Sequence, residues 1–156
     1  MAADPVLCPL GALDLDRAAA LHGESFVALG ERAWTRQDLA ELLASPGVTG
    51  LLLQAAGHDA GIALCRVAAD EAELLTIAVR PSERQRGLGR RLLAAVIERV
   101  RAAGARALFL EVGADNPPAR ALYEAMGFRV IGRRAAYYRR GEGPAADALI
   151  MRLTLN

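Results

Sequence analysis

Apolar and polar residues follow two different periods along the chain, and together these periods predict a fold of mixed helices and strands. Short apolar runs bounded by turn residues predict strands at 6–10, 48–55, 61–69, 73–79, 107–112, 128–133 and 148–155. Apolar residues at helical spacing predict four helices, at 13–26, 36–45, 88–103 and 116–127. This order predicts an α/β or α+β fold with a mixed sheet.

The two segments with the clearest signals lie in the second half of the chain. The helix at 88–103 has an apolar face and stops where Gly104 suits the position after a helix. The strand at 107–112 is apolar on both faces, as a central strand with parallel neighbours would be. Asn116 and Pro117 suit the cap and first turn of the helix that follows.

Length and composition bound the possible functions. With 156 residues, 53% of them hydrophobic, the chain is predicted to form a single domain over 1–156. The sequence contains no lysine, so all 19 basic residues are arginine. This excludes a P-loop lysine, a Schiff-base lysine and a Ser-x-x-Lys nucleophile pair.

The cysteines, the histidines and the apolar runs indicate a cytoplasmic protein without a metal. Cys8 and Cys65 form no C-x-x-C pair, and we read no signal peptide at the start. No apolar run reaches the roughly 18 residues of a membrane span. His22 and His58 have no metal-ligand spacing, so we expect no metal.

Charge is distributed unevenly along the chain. Residues 1–79 contain four Arg and eleven Asp or Glu, whereas residues 80–156 contain fifteen Arg and seven Asp or Glu. A basic half can meet an anionic ligand and an acidic half a cationic one, although two such faces can equally pair with each other. The basic residues cluster at one loop without interleaved aromatic residues, so we expect no nucleic acid partner.

The loop at 84–89, Arg-Gln-Arg-Gly-Leu-Gly, lies between a predicted strand and a predicted helix. Glycines there let the backbone approach a ligand, and the first N–H groups of a helix attract anions. A dinucleotide fingerprint would need glycine where Leu92 stands, and a P-loop would need lysine. The loop therefore predicts a pyrophosphate site of another kind, although a tight turn without a ligand has the same residues.

The pattern Arg-x-x-Gly-x-Gly at 84–89, after Leu-Thr-Ile-Ala-Val at 75–79, resembles the acetyl-CoA signature of the GNAT acetyltransferases. The runs Leu-Glu-Val-Gly-Ala-Asp-Asn at 110–116 and Ala-Leu-Tyr-Glu-Ala-Met-Gly-Phe at 121–128 are similar to the following strand and helix of that family. Within the family, the chain is most similar to the ribosomal-protein-alanine acetyltransferases (RimI type). Trp34 and the Arg-Arg and Tyr-Tyr pairs at 133–134 and 137–138 add to that likeness.

The resemblance implies a fold and a coenzyme site. The fold would be a mixed, mostly antiparallel sheet of about seven strands flanked by four helices, with the central parallel strands 73–79 and 107–112 splayed around acetyl-CoA. By resemblance, the coenzyme-binding residues would be Ile77, Ala78, Val79, Arg84, Gln85, Arg86, Gly87, Leu88, Gly89, Arg90, Asn116 and Tyr123.

Two residues are candidates for the chemistry. Glu111 ends an apolar strand, where a carboxylate tends towards a raised pKa, and the resemblance implies that it is the general base. Tyr123 would protonate the coenzyme thiolate, although a helical tyrosine is also a common core residue. A solvated strand end is the other interpretation of Glu111.

The acceptor implied by the resemblance is the N-terminal alanine amine of a ribosomal protein. A small-molecule amine, or a CoA-binding module without catalysis, stays open. By resemblance Tyr137 and Tyr138 lie near the acceptor, and the loop at 139–144 could shape specificity. The acidic residues that could attract a cationic N-terminus are Glu24, Glu31, Asp38 and Glu41.

Overall fold

The computed structural model describes residues 4–27, 31–139 and 142–156. Its strands are β1 Val6–Pro9, β2 Val48–Ala55, β3 His58–Ala68, β4 Glu71–Val79, β5 Ala107–Gly113, β6 Arg129–Tyr138 and β7 Ala146–Thr154. Its α-helices are α1 Leu15–Val27, α2 Arg36–Ala44, α3 Leu88–Ala102 and α4 Pro117–Ala125. Two short 3-10 turns occur at Ala12–Asp14 and Pro81–Glu83.

All seven strands belong to one sheet, in the order β1-β2-β3-β4-β5-β7-β6. Of the strand pairs in the described chain, only β4 with β5 is parallel. A crossover helix must join two parallel neighbours, and α3 fills that role. The predicted mixed, mostly antiparallel sheet of seven strands with four helices is confirmed.

The core has two parts, one on each face of the sheet. α1 and α2 pack over the central strands on one face, where Leu21, Leu39 and Ile62 are fully buried. α3 and α4 cover the other face, where Leu92 and Leu93 are fully buried. The helix faces deduced from apolar spacing are the faces that are buried.

β4 and β5 pair at only three positions and then part. The last pair is Glu73 with Phe109, although both strands continue beyond it. β3 pairs with β4 at Leu64–Thr76 and next at Cys65–Leu74, so Leu75 is an extra residue in β4. A β-bulge of this kind bends its strand and increases the local twist. The bulge follows the last β4–β5 pair, and the predicted splaying of the two parallel strands is confirmed.

β6 is longer than the sequence predicted, ending at Tyr138 rather than near residue 133. Its last part pairs irregularly with β7, and Ala136 has a left-handed backbone, with φ of 52°. The Ala136 N–H donates to Asp147 at 2.9 Å. An exposed edge strand with an irregular register lacks the apolar alternation that predicts a strand, and this explains the missed segment.

The thiols and helices bear on the expected location of the protein. Cys8 and Cys65 are both free, and burial raises the pKa of the Cys65 thiol. In the described chain, no helix has the length and apolarity needed to cross a bilayer. The cytoplasmic location stays a prediction.

Candidate active site

The turn that joins β4 to α3 contains two residues with a left-handed backbone conformation. Gln85 has φ of 64° and Gly87 has φ of 76°. Glycine takes this conformation without a penalty, whereas a residue with a side chain is strained. Gly87 is also the residue that precedes α3, and it has no side chain to cap the helix. The turn therefore exposes the start of α3 instead of covering it.

The first N–H groups of α3 point out of the helix. The N–H of Arg91 donates to the carbonyl of Gly87 at 3.1 Å and closes the first turn. Leu88, Gly89 and Arg90 precede that bond, so their N–H groups have no acceptor within the helix. Three such groups at the positive end of a helix dipole fit an anion, which is the property predicted for the loop at 84–89.

Arginines surround this helix start, and two of them are tied down. The Arg84 side chain donates to the carbonyl of Val79 at 3.3 Å. Arg86 forms an ion pair with Glu83 at 2.9 Å. Arg90 and Arg91 are exposed on the first turn of α3. The four guanidinium groups give the turn the positive charge that a diphosphate needs.

The parted edge of β4 offers backbone groups to a ligand. The Arg80 N–H donates to Ala60 of β3 at 2.8 Å, which sets the alternation of this antiparallel pair. By that alternation, the polar backbone groups of Ala78 face β3, whereas those of Ile77 and Val79 face the opening. The carbonyl of Val79 already accepts from Ser25 at 3.1 Å. Within the described ranges, the backbone groups of Ile77 and the Val79 N–H therefore face the opening without pairing to β5.

Glu111 lies in β5 beside the opening, half-buried, with Ile150 of β7 opposite it. Its sequence neighbours Leu110 and Val112 belong to the core under α3 and α4. Because side chains alternate along a strand, Glu111 faces the other side of the sheet. Its carboxylate forms an ion pair with Arg134 at 3.2 Å. The apolar setting assumed from the sequence thus belongs to the opposite face.

Tyr123 lies on α4 in the core under that helix. It is 6% exposed, and its ring packs edge-on against Phe128 with centroids 5.8 Å apart. Burial, with a smaller contribution from Tyr138, raises the pKa of the phenol well above its ordinary value. Tyr123 is therefore a core residue that still has a protonated donor at neutral pH.

Asn116 caps α4, as predicted. Its side-chain oxygen accepts from the N–H of Ala119, at 3.4 Å. Pro117 and Pro118 follow at positions where a helix tolerates a missing N–H. The amide nitrogen of Asn116 is not used by the cap and can still donate to a ligand.

His22 is fully buried, and both of its ring nitrogens are occupied. Nδ1 accepts from the Trp34 N–H at 3.1 Å, and Nε2 lies 3.2 Å from the Thr76 hydroxyl of β4. The ring is stacked between Phe26 and Trp34. Burial lowers the pKa of His22 to about 4. The neutral imidazole forms a hydrogen bond at each ring nitrogen and so connects the segment after α1 to β4. The sequence did not indicate this role.

On the acceptor side, several predicted residues have internal partners. Tyr137 is half-exposed, packs edge-on against Tyr138 and lies under the Arg134 guanidinium. Glu24 pairs with Arg80. Asp38 completes the capping box of α2, and Glu41 accepts from Gln37. Residues 140 and 141 of the predicted specificity loop lie outside the described residues.

A parallel strand pair that parts and an exposed helix start after a glycine turn are the features of an acyltransferase fold. The chain belongs to the acetyltransferase (GNAT) family, whose family model matches residues 15–128. It is thus an N-acetyltransferase enzyme, as the sequence predicted. Acetyl-CoA is the donor associated with this family, and an Arabidopsis thaliana NAA60 of the same fold, with a TM-score of 0.82 at 17% identity, was solved in complex with acetyl-CoA.

The chain is similar to several protein N-acetyltransferases, in two of the cases below over nearly its whole length. It is 36% identical to the N-alpha-acetyltransferase RimI of Mycobacterium tuberculosis, covering 97% of this chain and 96% of the relative. It is 42% identical to the [ribosomal protein bS18]-alanine N-acetyltransferase of Salmonella typhimurium, covering 68% of this chain and 71% of the relative. The crystal structure of the ribosomal-protein-S18-alanine N-acetyltransferase from Escherichia coli superposes with a TM-score of 0.89 at 32% identity, covering 98% of this chain and 95% of that one. The predicted family resemblance is confirmed.

Proposed function

We propose that this chain transfers the acetyl group of acetyl-CoA to the N-terminal α-amine of a protein, and that the acceptor is a ribosomal protein that begins with alanine. The similarity to the relatives named above supports the acceptor, because it extends through the segments on both sides of the opening. One structural observation carries the proposal. Glu111 lies on β5 just beyond the last β4–β5 pair, on the sheet face opposite the core that contains Tyr123.

The residues around the gap fit the proposed donor. The N–H groups of Leu88, Gly89 and Arg90 would hold the diphosphate, with Arg84, Gln85, Arg86 and Gly87 forming the surrounding turn. Ile77 and Val79 would bond the pantetheine arm along the parted edge. Ala78 would line the arm without backbone bonds, and Asn116 would donate from its amide. Acetyl-CoA supplies the acetyl group as a thioester, which an amine attacks readily.

An α-amine is a favourable acceptor because of its acidity. Its ordinary pKa is about 7.7–8.0, compared with about 10.4 for a lysine side chain. At neutral pH the reactive free-amine fraction is therefore roughly a few hundred times larger for an N-terminus. Modest help from a single base is enough, and one half-buried carboxylate provides it.

Glu111 acts as the general base in this proposal. It lies on the sheet face opposite α3 and α4, so the acceptor amine would enter from that face. The carboxylate accepts a proton from the ammonium, directly or through one water, and leaves a nucleophilic amine. Arg134 holds the carboxylate in place in the free enzyme. Backbone N–H groups of Ile77 and Val79 would polarise the acetyl carbonyl as charge develops on its oxygen.

Tyr123 acts from the other face as the proton donor. Its buried phenol stays protonated at neutral pH, because burial raises its pKa. As the carbon–sulfur bond breaks, the hydroxyl would donate to the sulfur and stabilise the leaving thiolate. The product amide and the free thiol then separate on opposite sides of the sheet.

A peptide assay tests the proposal. The chain is given acetyl-CoA with a basic hexapeptide that begins with alanine, the same peptide with a blocked N-terminus, and a panel of small amines. We expect a high kcat/KM for the free alanine peptide and no turnover of the blocked one. A higher kcat/KM for a small amine would show that the acceptor is a small molecule and not a protein N-terminus. Binding of acetyl-CoA without turnover of any amine would indicate a CoA-binding module.

A further inference from the structure

One buried carboxylate stands beside the anion turn and has no part in the proposed chemistry. Glu83 is 6% exposed, although it lies in a short turn at the protein surface. Acidic residues are rarely this buried unless they are paired. Two donors approach it: the His58 ring, through a very short contact, and the Arg86 guanidinium at 2.9 Å. We call Glu83, His58 and Arg86 the Glu83 cluster.

The Glu83 cluster joins two segments that are distant in sequence. His58 is the first residue of β3, next to the turn after β2, whereas Arg86 lies in the anion turn. His58 is exposed, and its contact with Glu83 is one link between the β2–β3 turn and the coenzyme side. A hydrogen bond from His58 is the largest of the effects that lower the pKa of Glu83, so its carboxylate is charged at neutral pH.

The same two segments are connected a second time, which indicates a built contact. Arg80 donates through Nε to the carbonyl of Asp59 at 3.0 Å. The Asp59 side chain in turn accepts from Arg17 and Gln54. The β2–β3 turn is thus fixed to the body of the fold and can serve as an anchor for residues 80–86. The anion turn itself contains two left-handed residues and needs such an anchor to keep one shape.

We propose that Glu83 is a positioning residue for the diphosphate-binding turn, holding Arg86 and the start of α3 to the β2–β3 turn through His58. This inference rests on the proposed function, because it takes residues 84–90 as the diphosphate site. A carboxylate next to an anion site would by itself repel the ligand. Positioning and charge repulsion change the Kd of acetyl-CoA in opposite directions when Glu83 is removed, so a measurement can distinguish them.

Removal of Glu83 separates positioning from charge repulsion. If Glu83 positions the turn, Glu83→Ala raises the Kd of acetyl-CoA about tenfold, since a misplaced set of binding groups loses affinity on this scale. His58→Ala raises the Kd in the same direction, and the double variant is no weaker than Glu83→Ala, because both remove one link. If charge dominates, Glu83→Ala tightens binding, and that result overturns the proposal.

A truncated donor distinguishes positioning of this turn from general damage. S-acetylpantetheine lacks the diphosphate, so its kcat/KM is expected to be unchanged in Glu83→Ala while that for acetyl-CoA falls. An equal loss with both donors overturns the proposal. Glu98→Ala is the matched control, because Glu98 also pairs with an arginine three residues later, on α3. It is expected to leave both donors unaffected.

The experiment also separates this inference from the proposed function. Kd values come from calorimetric titration, and melting curves of the variants without ligand show whether they are folded. Should Glu83→Ala fail to fold, Glu83→Gln and His58→Ala undergo the same comparison, with the same expected and contrary results. If the wild-type chain does not bind acetyl-CoA, the proposed function is wrong. If the wild type binds acetyl-CoA and the variants bind it with equal affinity, only the proposed role of Glu83 is wrong.

Discussion

β4 with α3 and β5 with α4 are two strand–turn–helix units that lie side by side, and their helices start in opposite ways. α3 follows a left-handed glycine and has no side-chain cap. α4 follows Asn116, which caps it, and begins with two prolines that have no N–H. The N-terminus of α3 is therefore open to an anion, whereas that of α4 is closed by its own residues.

The two units also differ in where their chemistry resides. The first offers backbone groups: Ile77, Val79 and the first turn of α3. The second offers titratable side chains, Glu111 on β5 and Tyr123 on α4. Backbone donors hold a ligand without changing their protonation, and titratable groups move protons. The comparison suggests that one unit binds the donor and the other performs the transfer, and the substitutions below challenge that division.

Glu111→Gln tests the transfer unit and has the largest expected effect. We expect kcat/KM for the alanine peptide to fall by about 100- to 10,000-fold, the range for a lost general base. The Kd of acetyl-CoA should stay the same. Glu124→Gln is the control, since Glu124 is exposed on α4 and pairs with Arg120. A full rate in Glu111→Gln contradicts its role as base.

Tyr123→Phe tests the same unit from the other face. Phenylalanine keeps the edge-on packing with Phe128, so the melting temperature should change little. We expect kcat to fall by about 100-fold, because the leaving thiolate loses its donor. Stopped assays that follow free thiol measure this rate. A variant as fast as the wild type would leave Tyr123 as a core residue only.

Gly87→Ala tests the binding unit. Gly87 and Gly104 both have left-handed backbones, and an added Cβ would meet no atom within 4 Å at either position. Each alanine variant should therefore lose a similar stability, about 1–2 kcal/mol, from backbone strain alone. Only Gly87→Ala should also weaken acetyl-CoA binding, as titration of both variants would reveal. If the two variants bind acetyl-CoA with equal affinity, the diphosphate does not bind at the turn that contains Gly87.

Substitution of Asn116 has the smallest expected effect. It tests whether the second unit also contributes a contact to the coenzyme. Asn116→Ala should cost about 1 kcal/mol, as for a lost helix cap. Asn116→Asp keeps the acceptor that caps α4 but removes the amide donor. If the amide contacts the coenzyme, Asn116→Asp keeps the stability and raises the KM of acetyl-CoA. Thr35→Ala, which removes the cap of α2, is the control for cap loss without a change in KM.

The sequence predicted the two units well because their signals are local. The apolar face of α3, the glycine turn and the Asn-Pro start of α4 each lie within a few adjacent residues. The apolar strand β5 indicated a central position with parallel neighbours; its position inside the sheet is confirmed, but only β4 is parallel to it, whereas β7 is antiparallel. The roles of individual site residues stay predictions, since they depend on a ligand.

Other features depend on contacts between distant segments and could not be predicted. Glu83 contacts His58, which lies 25 positions earlier, and no pattern in the sequence indicates that pair. Arg134 on β6 meets Glu111 on β5 across β7, which the sheet order places between them. The extra residue at Leu75 carries no sequence signal, because one more apolar residue does not interrupt an apolar strand.

That extra residue has a consequence for how the protein tolerates change. The mouth of the cleft depends on a length mismatch of one residue between neighbouring strands, and no particular side chain sets it. Substitutions along the walls can therefore alter what enters without shutting the entrance. Deleting Leu75 would instead remove the bulge and straighten β4, while the flanking side chains keep their faces, because Leu75 and Thr76 lie on the same face.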